Sequence, residues 1–264
     1  MWPIHLKPLD DELCSSWIGR LALAHGLHPY RFCSAILDKR DSVWRRDVDR
    51  GGDIRLFQVL ATNTGIALDI ARHTSLAAYE GTIFERIAQN NCQWILPVGS
   101  GQNARVQSYG QQYCPQCLSE DEIPYFRREW RLAFVTLCLK HGAVLFDRCP
   151  NCAGSTRCCV VKNSYRDIHA MQSLAECLAC GYDLREPNGL PDRGEVLSEE
   201  LAFQRSLSDT AKRGWIEIPD SGPVYSHLYF LALRGVILTG IGILSDGTLQ
   251  QRIMWLAKRR WRLL

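Results

Sequence analysis

The chain carries no surplus of charge of either sign. Its 31 lysines and arginines nearly cancel 28 aspartates and glutamates, leaving a formal +3 over 264 residues. That balance removes any global electrostatic case for nucleic-acid binding, so such a contact would have to rest on a local patch. Long hydrophobic runs are also missing. The most apolar stretch, GVILTGIGIL at residues 235–244, falls short of the roughly 20 residues a bilayer-spanning helix needs. The opening residues lack a basic start followed by an apolar core, so no signal peptide is expected. The expected compartment is the cytoplasm, where thiols stay reduced.

Catalytic signatures are missing too. No His-x-Glu precedes a cysteine pair, as zinc deaminases require. There is no His-Glu-x-x-His, no Gly-x-Ser-x-Gly, no nuclease-type carboxylate cluster and no nucleophile–base–acid set. The GSG at residues 99–101 lacks the Gly-Lys-Ser/Thr that would complete a phosphate loop. Nothing in the sequence points to an enzyme. Apolar content of 46% and charged content of 22% are those of an ordinary globular protein.

What the chain does have is cysteine. Nine of its twelve cysteines fall within residues 113–186. Four ligand pairs follow in series: Cys114/Cys117, Cys138/His141, Cys149/Cys152 and Cys177/Cys180. Two residues separate the members of each pair, which lets a tight turn aim both side chains at one tetrahedral ion. Excursions of 20 and 24 residues divide the first two and the last two pairs, lengths suited to small hairpins or ribbons. Sequential pairing gives a site of three cysteines and a histidine, then a site of four cysteines. The spacing also admits interleaved pairing, first with third. In a reducing compartment this pattern argues for two structural Zn2+ ions over disulfides. Each site has a full set of four protein ligands, whereas a catalytic zinc keeps a position open. Cys14, Cys33 and Cys92 read as single packing residues, as do the adjacent Cys158 and Cys159.

Around the pairs, three segments are candidates for contact with nucleic acid or a partner. Tyr125, Phe126, Arg127, Arg128, Trp130 and Arg131 form either an aromatic-basic surface or the small core of a zinc ribbon with solvated arginines. LATNTGIALDIARHT at residues 60–74 fits a helix-turn-helix. Ala61 takes the tight packing position, Gly65 the turn, and Leu68 and Ala71 face inward. Only Arg72 and His73 there are able to read bases. At the C-terminus, Lys258, Arg259, Arg260 and Arg262 surround Trp261. They form either a phosphate or acidic-partner grip or a solvated helix end suited to the macrodipole.

The expected fold is mainly α with small β zinc ribbons. Residues 1–110 form a helical module containing the helix-turn-helix, 111–190 the tandem ribbons, and 191–264 a C-terminal helical region. In the first module, Leu13, Trp17, Leu21 and Ala24 fall at helical spacing after Asp10 or Asp11 as the N-cap. Phe32, Ile36 and Leu37 share a side of the next helix, and a second helical group spans residues 54–89. Residues 96–110, rich in Gly and Ser, read as a linker, and 185–194 as a Pro/Gly boundary.

Two stretches carry a family resemblance. PLDDELCSSWIGRLALAHGL resembles the opening of the TniQ family, where a run like Glu-Leu-x-Ser-Ser-Trp begins the chain. YCPQCLSEDEIPYFRREWRLAFVTLCLKHGAVLFDRCPNC is similar to that family's zinc-ribbon signature in its Cys-Pro-x-Cys-Leu, Trp130, Cys-x-x-His-Gly and Cys-Pro-x-Cys elements. The resemblance covers roughly residues 6–190, and the remainder carries no assignable motif. It implies a TnsD-like targeting protein of bacterial transposons, not a transposase. Such a protein links a target-recognition complex, in some systems an RNA-guided CRISPR effector, to an AAA+ transposition ATPase of the TnsC or TniB kind. Some members act as dimers. Two rival readings stay open. One is a DNA-binding regulator using the helix-turn-helix and the basic C-terminus, with direct DNA or RNA contact. The other is a zinc hydrolase, disfavoured by the closed sites. No membrane partner is expected.

Overall fold

The computed structural model describes residues 1–36, 47–87, 93–98, 109–157, 173–186, 196–219 and 222–243. Leu37, Cys92, Cys158, Cys159, the GSG segment and the basic cluster Lys258, Arg259, Arg260 and Arg262 lie outside these residues. The described chain is mostly helical, with small antiparallel strand pairs. It divides into two compact units. One comprises Met1–Ala78 and Ile87–Ser206, the other Tyr79–Arg86 and Leu207–Leu264.

In the first unit, α1 (Cys14–Ala24) and α2 (Pro29–Ile36) precede α3 (Ile54–Thr64) and α4 (Leu68–His73). The core gathers Trp17, Ile18 and Leu21 of α1, Phe32 of α2, and Leu56, Phe57 and Leu60 of α3. The expected stripe is present at Leu13, Trp17 and Leu21, all fully buried, but it ends before Ala24, which is exposed. The burial also goes further round the helix than a stripe. Every residue from Cys14 to Ala22 is buried, including Ser15, Ser16 and Arg20.

Neither Asp10 nor Asp11 caps α1. Its N-cap is Leu13, whose side chain offers no acceptor. The unpaired N–H groups of a first turn still need partners, and tertiary contacts provide them. Leu13 N donates to Phe126 O, Cys14 N to Thr74 O (each 2.9 Å), and Ser15 N to the Asp49 carboxylate at 2.8 Å. Asp49, 34 residues away in sequence, thus acts as the capping residue and places negative charge at the positive end of the helix.

α3 is capped locally by Asp53, which accepts from Arg55 N, and ends at Gly65 in the left-handed region (φ 67°). The Lys7 ammonium donates to the carbonyls of Thr64 and Gly65, a favourable place for a cation at a helix C-terminus. α4 follows after three residues. Ala61 and Ala71 are buried as expected, but Leu68 is not inward: it is 37% exposed, and Ile70 49%. With only six residues, α4 turns one face to the core, and Ala71 occupies it.

The cysteine-rich segment belongs to the same unit. It contributes α5 (Pro115–Glu120) and an antiparallel hairpin of β1 (Leu137–Cys138) and β2 (Ala143–Val144). Hydrogen bonds tie it to the helices. Phe126 N donates to Ser16 Oγ, Glu129 N to Asp11, and Arg131 to Asp47 and Asp49. Residues 93–98 also do more than link. Trp94, Ile95 and Leu96 are buried, and Gly110 approaches Pro97 so closely that a Cβ there would lie 2.1 Å from its carbonyl oxygen. The described ends of the expected linker are therefore packed, and backbone buried this way must find partners. Leu96 N donates to Arg131 O, and Ala133 N to Trp94 O.

α6 (Ser198–Arg213) begins in the first unit. There the Gln204 side-chain oxygen accepts the backbone N–H groups of Thr136 and Leu137, and its amide N returns a bond to Leu137 O. In the second unit, a strand pair interrupts the expected helical region. β3 (Trp215–Ile218) and β4 (Gly222–Tyr225) pair antiparallel before α7 (Ser226–Ile243). Alternation in WIEI and in PVY drives the hairpin: Ile216, Ile218 and Val224 are partly buried while Trp215, Glu217 and Tyr225 are exposed. Among the described residues, no helix is long and apolar enough to cross a membrane.

Candidate metal centres

Two clusters assemble from the four pairs, and they assemble sequentially. Cys114, Cys117, Cys138 and His141 form one, and Cys149, Cys152, Cys177 and Cys180 the other. In each, the four ligand atoms lie within 4.8 Å of one another.

The first cluster rests on a short helix and a short hairpin. Pro115 opens α5 directly after Cys114, a position where its missing N–H costs nothing. One turn of helix then brings Cys117 beside Cys114. Cys138 ends β1, and the chain turns back into β2. Gly142, at φ 59°, allows that turn, and its N–H bonds the Cys138 carbonyl. The Tyr113–Phe146 bridge closes the module with reciprocal backbone bonds of 2.8 and 2.9 Å. In the second cluster, Cys149 accepts backbone N–H groups from Asn151 and Cys152, and Cys177 accepts them from Ala179 and Cys180. Donors of this kind favour a thiolate, although burial of Cys149 and Cys177 pushes both thiols up.

The donor geometry fits a tetrahedral ion. Metal–sulfur bonds of about 2.3 Å and metal–nitrogen bonds of about 2.0 Å require edges of about 3.8 Å between sulfurs and about 3.6 Å from sulfur to nitrogen. Cys117 and Cys138 Sγ are 3.5 Å apart, and His141 Nδ1 is 3.4 Å from each of the three sulfurs. In the second cluster, Cys149–Cys180 and Cys152–Cys177 are each 3.7 Å. These sulfurs are far beyond the roughly 2.05 Å of a disulfide. Sulfurs held this close gain little from one another, and a shared dication resolves the crowding. Four donors per site would fill a zinc coordination shell from the protein alone.

The clusters differ in cover. Cys114, Cys117 and Cys138 are buried, whereas Cys152 is exposed and Cys180 intermediate. Sequence reasoning missed one residue beside the first cluster. Glu120 Oε1 lies 2.9 Å from His141 Nε2, and its other oxygen pairs with Lys140. Its one sequence signal is its place one turn after Cys117.

The arginines between the first two pairs are largely committed elsewhere. Arg131 is fully buried, bonded to Asp47, Asp49 and Leu96 O, so it is a fold residue and not an exposed contact. Burial pushes the Asp49 carboxyl up, to about 6, with Asp47 adding to the rise and Arg131 and Ser15 opposing it. Arg128 pairs with Asp11 at 2.8 Å. Arg127 forms two bonds to Asp121 and stacks over Tyr125 and Trp130 at 4.4 and 4.7 Å. Phe126 and Trp130 are buried in an edge-on pair. Arg72 and His73 are exposed at the end of α4. Loss of solvation and the nearby Arg128 charge lower the His73 pKa from its usual value, with Asp11 and Asp69 opposing.

A mostly helical protein with two closed Cys/His clusters that can hold metal is thus defined by the fold and the site. The TniQ family model matches residues 3–145, more than half of the chain. The chain belongs to the TniQ family, whose members are non-catalytic proteins of transposition targeting. Among curated proteins, none matches it.

Proposed function

We propose that this protein is a targeting adaptor of transposition. It links a target-recognition complex, an RNA-guided CRISPR effector in the systems that have one, to an AAA+ transposition ATPase of the TnsC or TniB kind. It acts by contact, with two Zn2+ ions holding tandem ribbons in shape. The observation that carries this reading is the family match over residues 3–145. The four-donor clusters support it, since a metal held by four protein ligands has no position left for a substrate.

In this reading α3 and α4 are a helix-turn-helix used to meet a protein. A DNA-reading helix presents polar side chains from its N-terminal turn. Here that turn exposes Leu68, Asp69 and Ile70, two apolar groups and an acid. We assign this helical surface to the ATPase, and the ribbons and the basic C-terminus to the target complex.

Co-precipitation with the ATPase and target complex of the same transposon tests the assignment. Neutralising Lys258, Arg259, Arg260 and Arg262 together should weaken target-complex association and flatten its salt dependence, with ATPase association intact. Loss of the ATPase alone would reverse the two surfaces. Tight, salt-dependent binding of the isolated chain to bare DNA would favour the DNA-binding regulator instead. Unaided DNA cleavage or ATP hydrolysis would overturn the adaptor reading.

A further inference from the structure

We propose that Glu120 is a positioning residue for the first metal site. Its carboxylate accepts the Nε2 proton of His141 and so fixes the imidazole in the tautomer whose Nδ1 lone pair faces Cys114, Cys117 and Cys138. The inference rests on the reading that this cluster holds zinc.

The geometry is specific. The two ring nitrogens of His141 have different surroundings: Nδ1 is 3.4 Å from each of the three sulfurs, and Nε2 is 2.9 Å from Glu120 Oε1. Neutral imidazole carries one proton, and a carboxylate claims it at Nε2. Nδ1 is then free to donate its lone pair. Lys140 holds the other carboxylate oxygen at 2.6 Å, which offsets the charge Glu120 adds beside three thiolates. The arrangement follows from one short helix. α5 carries Cys117 and, three residues on, Glu120, so a sulfur donor and the carboxylate that orients the histidine share a helix face. Acceptors behind metal-bound histidines orient the ring and raise its basicity. The second cluster has four cysteines and no histidine, and so supplies an internal control.

The test uses the full chain loaded with zinc, as wild type and as Glu120→Ala, Glu120→Gln and Lys140→Ala. Zinc content and competition with a chromophoric chelator report affinity at each site. Nitrogen chemical shifts of the His141 ring report the tautomer. Glu120→Ala should lower first-site affinity about 10- to 100-fold and leave the second site unchanged. Glu120→Gln, whose amide oxygen still accepts, should fall between it and wild type. Lys140→Ala should stay close to wild type. An unchanged first-site affinity and tautomer in Glu120→Ala would overturn the proposal. An equal loss in Lys140→Ala would do so as well, by tracing the effect to the surface ion pair. A wild-type chain with no zinc at its first site would instead refute the metal reading itself.

Discussion

Arg131 donates to Asp49 at 2.9 Å across 82 residues of sequence, and both side chains are buried. Asp49 also accepts from the N–H and hydroxyl of Ser15, at the start of α1. One carboxylate therefore joins the first helix to the cysteine-rich segment. Asp49→Ala removes the helix cap and leaves the Arg131 charge partly uncompensated. Breaking a buried pair from one side costs about 3–5 kcal/mol. Denaturant unfolding should show a loss in that range, and a loss within ordinary surface values would show that Asp47 alone suffices for Arg131.

The metal prediction concerns both stoichiometry and order. Elemental analysis should find two zinc ions per chain, and Cys117→Ser and Cys152→Ser should each lose one and misfold locally, since zinc binding contributes to folding. The second cluster should give up its metal first to a chelator, because Cys152 is exposed while the sulfurs of the first cluster are buried. Acidification should act like the chelator, since thiolates must take up protons to release the ion. Release of the first-cluster metal ahead of the second would contradict this order.

Trp17 is fully buried in the core, and its indole N–H donates to Leu6 O at 2.9 Å. Trp17→Ala should cost about 3–5 kcal/mol through the cavity it leaves. The check is the denaturation midpoint at constant slope.

Gly65 ends α3 at φ 67°, where an added Cβ is disfavoured by about 1–2 kcal/mol. Gly65→Ala should lose stability of that order, and Gly65→Asn less, because Asn tolerates this conformation. Equal losses in the two variants would point to the neighbouring Met1 side chain, 3.1 Å from the added Cβ, as the cause.

Local pattern makes several elements legible in the sequence. The knuckle spacing of Cys114/Cys117 and its three counterparts needs only a tight turn, which neighbouring residues specify. Helical spacing at Leu13, Trp17 and Leu21 likewise reports a face destined for burial. The hairpin at Trp215–Tyr225 has its own period-2 alternation, but eight strand residues between two helices leave a weak signal.

The choice between sequential and interleaved cluster pairing lies beyond spacing, because both satisfy the same turns. The Tyr113–Phe146 bridge decides it by holding the β1–β2 hairpin, with Cys138 and His141, beside Cys114 and Cys117. The roles of the charged residues are equally hidden. Sequence alone determined that Arg131 and Asp49 carry opposite charge and that Asp11 precedes a helix. Only the tertiary structure decided that Asp49, not Asp11, caps α1, and that Arg131 is buried against it. An ion pair or a remote cap depends on where distant segments meet, and no local periodicity encodes that meeting.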